Sequence, residues 1–136
     1  MRTRTPIGLA AAMALALTAG AASLPVTTAA APSTPSACFW GHNVDNFAAS
    51  SDEKTVNLRV GVRDVYQLSL FAPCIDIDWA HHIALRSRGS DWICEGNNVD
   101  AEILSPSAIG HQRCLVTSVR KLSPAEIAAL PKSERP

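Results

Sequence analysis

The sequence predicts a small, mainly β or α+β domain. It is expected to be a disulfide-stapled sheet or partly closed barrel of five to six strands with a short C-terminal helix. Three observations predict this class. Short runs alternate apolar and polar residues at a period of two and are separated by turn residues. Four cysteines, Cys38, Cys74, Cys94 and Cys114, lie downstream of an apolar leader and share no C-x-x-C motif. One strong helix-start signal, Ser123-Pro124-Ala125-Glu126, stands near the end.

The chain opens with Arg2 and Arg4, an uncharged apolar run from Ile7 to Leu17, and then small residues through Ala19-Gly20-Ala21. This is the three-part pattern of a secretory signal peptide, expected over 1–21. The apolar run is too short for a membrane span, which needs about 20 residues. Cys38 is too far from that run, and too close to Pro35, to be a lipid-attachment cysteine. Residues 22–37 are rich in Pro, Ala, Ser and Thr and carry no charge, so a disordered spacer is expected there. The folded domain is expected over 38–130, followed by a disordered tail at 131–136.

Within that domain, residues 43–49 are expected to form one or two helical turns. Thr55–Val60 alternates, with Val56, Leu58 and Val60 on one face. Residues 65–70 repeat the pattern with Tyr66, Leu68 and Leu70 inward, which gives a hairpin. Pro73 ends that strand. A short helix is expected at 76–81 and a third strand at 82–87. A short strand follows at Trp92–Glu95, a turn at 96–98 and a strand at 101–104. Arg113–Leu122 is the last long strand. Cys114, Val116 and Ser118 are read on one face, with Leu115, Thr117 and Val119 on the other; apolar residues on both faces suggest a central strand. The final helix starts at Ser123 and stops at Pro131.

Four cysteines allow three connectivities, and sequence alone does not choose among them. Joining neighbours along the chain gives Cys38–Cys74 and Cys94–Cys114, the expected pairing. Behind a leader these bonds imply an oxidising space, so a periplasmic or extracellular address is expected.

Lys plus Arg number 12 and Asp plus Glu 12, so no bulk field attracts nucleic acid or an anionic membrane. Losing Arg2 and Arg4 takes the 12 basic residues to 10, a charge of −2 with His neutral. Aromatics at 5% do not suggest a base-stacking surface. No nucleic-acid partner is expected, and no membrane association once the leader is gone.

Asp76, Asp78, His81 and His82 form the one cluster with metal-ligand character. On a helix, Asp78 lies three and four residues before His81 and His82, and the three can share a face. His42 or His111 can fold nearby. The bland reading is a helix start whose acidic and basic ends suit its dipole. No nucleophile elbow, H-E-x-x-H or glycine-rich phosphate loop is present. No catalytic residue and no cofactor is therefore assigned. Arg86, Arg88, Arg120 and Lys121 read as solvated faces. Trp40 and Trp79 are either core or an exposed patch for a sugar or protein partner, whereas Trp92, two residues before Cys94, is expected to pack on a disulfide in the core.

Cys38-Phe39, Tyr66-Gln67-Leu68, Ala72-Pro73-Cys74, Trp92-Ile93-Cys94, Cys114-Leu115-Val116 and Leu122-Ser123-Pro124-Ala125-Glu126 occur in this order. Together they resemble a family of short exported proteobacterial proteins of unknown function, over about 38–130. The resemblance implies an envelope address and the four-cysteine framework, and brings no site residue with it. The functional expectation is a non-enzymatic periplasmic or secreted binding or structural module with an envelope protein partner. A metal-binding envelope protein and a small hydrolase are the alternatives.

Overall fold

A computed structural model describes residues 36–136. The expected leader and nearly all of the expected spacer lie outside the described residues; Ser36 and Ala37 fall within them. Among the described residues eight strands follow one another: β1 (Cys38–Trp40), β2 (Val44–Ala49), β3 (Thr55–Val60), β4 (Asp64–Leu70), β5 (Ala84–Ser87), β6 (Trp92–Cys94), β7 (Gly96–Ser107) and β8 (Gly110–Lys121). The α-helix α1 (Pro124–Ala129) follows them. Six strands form one antiparallel sheet in the order β2-β3-β4-β8-β7-β5, curled into a half-barrel. β1 and β6 make a separate two-stranded ribbon. The expected architecture of a disulfide-stapled, partly closed barrel with a short terminal helix is the one observed.

Alternation explains the concave side. Val56 and Leu58 on β3, Tyr66, Leu68 and Leu70 on β4, Ala101 and Ile103 on β7, and Cys114, Val116 and Val119 on β8 are all buried in one cluster. The β3–β4 hairpin pairs Val56 with Leu68 and Leu58 with Tyr66, so the apolar faces coincide. β8 corrects the expected facing. The register against β4 shifts by one residue between Ser69–Ser118 and Leu70–Val116, leaving Thr117 as the extra residue. A bulge of this kind moves later side chains to the other face. Val119 thereby joins Cys114 and Val116 inside. The strand is central, as expected, but its apolar residues serve mostly one face.

Several local expectations are corrected. Of residues 43–49, Val44–Ala49 are strand, and Asn43 ends a 3-10 turn at Gly41–Asn43. The helix expected at 76–81 is a single 3-10 turn, Ile77–Trp79, entered through Asp76 in the left-handed region at φ 59°. The short segment cannot sustain a helix, and burial of Ile77 anchors it instead. The turn at 96–98 and the strand at 101–104 merge into the 12-residue β7, with an irregular register between Asn97 and Ala101.

The disulfides join Cys38 to Cys94 and Cys74 to Cys114, which overturns the expected Cys38–Cys74 and Cys94–Cys114 pairing. Strand register decides the matter. Cys38 stands directly opposite Cys94 in the β1–β6 ribbon. Cys74 follows the bend after β4, where its neighbour is β8, and meets Cys114 there. The interleaved loops span 56 and 40 residues. On the chain-entropy model each closure stabilises the fold by about 4 kcal/mol.

The terminal segment, for which a disordered tail at 131–136 was expected, lies against the convex side. Ser123 caps α1 through the amide of Glu126 while Glu126 accepts from the Ser123 amide at 2.8 Å. Beyond Pro131, a 3-10 turn at Lys132–Glu134 lies against β2. Arg135 donates back to the carbonyls of Leu130 and Ala128. A polar ladder crosses the sheet beneath it. Asn57 Nδ2 donates to the Glu134 carbonyl, Gln67 Nε2 donates to Asn57 Oδ1, Arg120 Nε donates to Gln67 Oε1, and Arg120 Nη1 meets Glu126. Asn57, Gln67 and Arg120 are direct cross-strand partners, so the pleat itself lines them up.

Candidate functional site

The ribbon β1–β6 has two unlike faces. Phe39 and Ile93 oppose each other and are buried, and the Phe39 ring packs on Tyr66 with centroids 4.4 Å apart. By alternation, Cys38, Trp40, Trp92 and Cys94 all point the other way. Trp40 and Trp92 are direct partners, their rings 4.6 Å apart and 60° from parallel. They are 44% and 42% exposed. Trp92 therefore shares a face with its cysteine, as the sequence suggested, but that face looks to solvent and not into the core.

The disulfide fixes this pair. Cys38–Cys94 stands one same-face step along the ribbon from Trp40–Trp92, so the two rings cannot slide in register. The ribbon's end is tied by Glu95, whose amide donates to the Ala37 carbonyl and whose carboxylate accepts from the amides of Ala37 and Lys121. On the other side His42 extends the aromatic row, its ring 5.7 Å from Trp40. Gly41 donates to the Asp91 carbonyl at 2.8 Å and links the two strands beyond the tryptophans.

Beside the row lies a cleft of about 310 Å³ where the two edges of the half-barrel approach. Val44 from β2 and Leu85 from β5 form its apolar sides, and His42 and Asp91 supply polar groups. Beneath the ribbon, burial pushes the Tyr66 phenol above its ordinary value. Lys121 is raised by its hydrogen bond to Asp64, at 2.9 Å, and its ammonium lies 5.8 Å from the Tyr66 ring.

The candidate metal ligands are dispersed. Asp76 is the left-handed residue before the 3-10 turn, and its amide donates to Glu53 Oε1 at 2.7 Å. Asp78 lines a cleft with Trp79, Ser133 and Arg135. His82 lines a different cleft with His111. His81 is exposed on the stretch between. The reason is local: without a helix at 76–81, the i to i+4 relationship of Asp78 and His82 does not exist. Among the described residues no group of three His, Cys, Asp or Glu side chains is placed to hold a metal ion. Trp79, 78% exposed, stands apart from the ribbon tryptophans.

The aromatic row was missed in the sequence, although a signal for it is there. Cys38-Phe39-Trp40 and Trp92-Ile93-Cys94 are mirror images. In an antiparallel pair, mirror triplets place Cys on Cys, Phe on Ile and Trp on Trp. The model of a family of unknown function, DUF6491, matches residues 2–136. No curated protein and no solved structure matches the chain.

Proposed function

The chain belongs to DUF6491, a family of unknown function, and from that premise we propose that it is an exported, disulfide-stapled binding module that engages an envelope partner through Trp40 and Trp92. The observation carrying this reading is the pair itself. Two large aromatic rings stand half exposed and side by side on a ribbon whose register is covalently fixed. Large, rigid aromatic side chains are the residues that dominate binding interfaces, because they bury much area at little entropic loss.

Export is supported by the leader pattern at 1–21 and by two disulfides with no free cysteine among the described residues. Among those residues no helix is long and apolar enough to cross a membrane, a statement that does not bear on strands. The metal reading finds no support in the positions of Asp76, Asp78, His81 and His82.

Site-specific photocrosslinking in the native host tests the reading. A crosslinker at position 40 or 92 is expected to give a discrete adduct, and one at the exposed turn residue Val62 is not. The double variant Trp40→Ala/Trp92→Ala should lose partner capture while still unfolding in one cooperative transition. Equal labelling from all three positions, or none from 40 and 92, overturns the proposal.

A further inference from the structure

We propose that the outer face of β5, β7 and β8 carries an anion-binding site, built by His82, Arg86, His111 and Arg113, that takes a phosphate or carboxylate group. The site is independent of the tryptophan face. It follows from register. β7 lies between β5 and β8, and Ala84, Leu104 and Arg113 form one rung across the three strands. The next rung is Arg86, Glu102 and Leu115. On the other side, Pro106 pairs with His111, and His82 lies two residues before Ala84.

Outward positions repeat every second residue, so His111 and Arg113 rise from β8 while His82 and Arg86 rise from the β5 side. Two strand spacings, about 10 Å, separate these walls. Leu104 on β7 lines the floor, and the short Ala84 stands between His82 and Arg86 on the β5 side. The result is a cleft of about 500 Å³ bordered by the four nitrogen-bearing side chains.

The electrostatics favour an anion there. Arg88, Arg120 and Lys121 each meet a carboxylate, at 3.4, 2.6 and 2.9 Å. The cleft's guanidiniums are less satisfied. Arg113 reaches Glu102 only at 3.9 Å, and Arg86 meets no carboxylate within 4.0 Å among the described residues. Glu102 stands opposite Arg86 in register and reaches toward Arg113, while Asp100, which borders Arg86 in the adjoining cleft, is paired with Arg88. Each guanidinium offers five N–H donors in a planar fork, a geometry that matches two oxygens of one oxyanion. The imidazoles add donors from the third rung. The cleft would therefore hold an oxyanion by forked contacts from opposite walls, with the rest of the ligand over Leu104.

The test uses the oxidised full-length chain and two probes, inorganic pyrophosphate and tricarballylate, followed by NMR of the histidine ring protons and by calorimetry. Saturable shifts at His82 and His111 are expected with at least one probe, and the tighter probe assigns the phosphate or carboxylate class. Arg86→Gln and Arg113→Gln should each weaken binding by about tenfold, the size of one lost charge-assisted contact. Arg63→Gln, in an exposed turn, should leave it unchanged. Because all three positions are exposed, near-UV circular dichroism should match the parent for each. No saturable shift with either probe overturns the proposal. So does binding that ignores both cleft arginines, or that falls equally with Arg63→Gln.

Discussion

Asn57 and Glu134, 77 residues apart, are joined by a 2.8 Å hydrogen bond from the Asn57 amide to the Glu134 carbonyl. Asn57 is fully buried although it sits on the convex face of β3. The C-terminal turn buries it, and the bond offsets the cost of taking an amide out of water. The tail is therefore a part of the fold that closes one side of the sheet.

Asn57→Ala removes that donor and leaves the Glu134 carbonyl and Gln67 Nε2 without their partner. A loss of about 1–3 kcal/mol is expected in urea unfolding. Deleting residues 132–136 should cost a similar amount, and combining the two should cost much less than their sum, since both remove one contact. Fully additive losses would contradict the docked tail.

Glu126 gives the segment a pH dependence. The backbone hydrogen bond from Ser123, then the Arg120 guanidinium and the Ser123 hydroxyl, hold its carboxyl down from the ordinary 4.5 to about 2. A depressed carboxyl favours the folded state above its unfolded value and loses that contribution as pH falls through the folded one. Amide protection in α1, taken relative to the intrinsic exchange rate at each pH, should therefore fall between pH 4.5 and 2. Glu126→Gln should show lower protection at neutral pH and little further loss of protection on acidification. A carboxyl titrating at its ordinary value by NMR would contradict the capping geometry.

The two faces of the ribbon predict opposite mutational costs. Phe39→Ala empties a buried site against Tyr66 and should cost about 3–5 kcal/mol. Trp40→Ala removes a half-exposed ring and one aromatic pair, the pair itself contributing about 0.5–1.5 kcal/mol. Denaturant midpoints should rank Phe39→Ala well below Trp40→Ala. The reverse order would place the tryptophans in the core.

Reduction should act on both closures. Cys74→Ala/Cys114→Ala is expected to lose about 2–5 kcal/mol, as is typical when a native disulfide leaves a small domain. This pair pins the segment carrying Ile77 to β8, so proteolysis of the double variant should begin near residues 72–80.

Much of this was legible in the chain. Val56, Leu58, Tyr66, Leu68 and Leu70 announced a hairpin because period-two alternation and a buried face are the same fact. Ser123 and Glu126 announced the helix because both halves of the capping box lie within four residues. Non-local pairing was less accessible. Nearest-neighbour cysteines suggested the wrong bridges, since loop length says nothing about which strands become adjacent. The bulge at Thr117 turned Val119 inward, a choice made by β4 and not by the local sequence of β8. A shared face for Asp78 and His82 presupposed a helix, and the segment forms only a 3-10 turn. The Arg86–Arg113 cleft needed the order β5-β7-β8, which no local pattern states.

The central claim is an exported domain clamped by interleaved disulfides. Intact-mass and non-reducing peptide mapping of the protein from an envelope fraction of its native host tests it most directly. The expected result is a chain lacking the leader, with peptides linked as Cys38–Cys94 and Cys74–Cys114. A chain retaining Met1 with four free thiols, or one linked as Cys38–Cys74 and Cys94–Cys114, would contradict it.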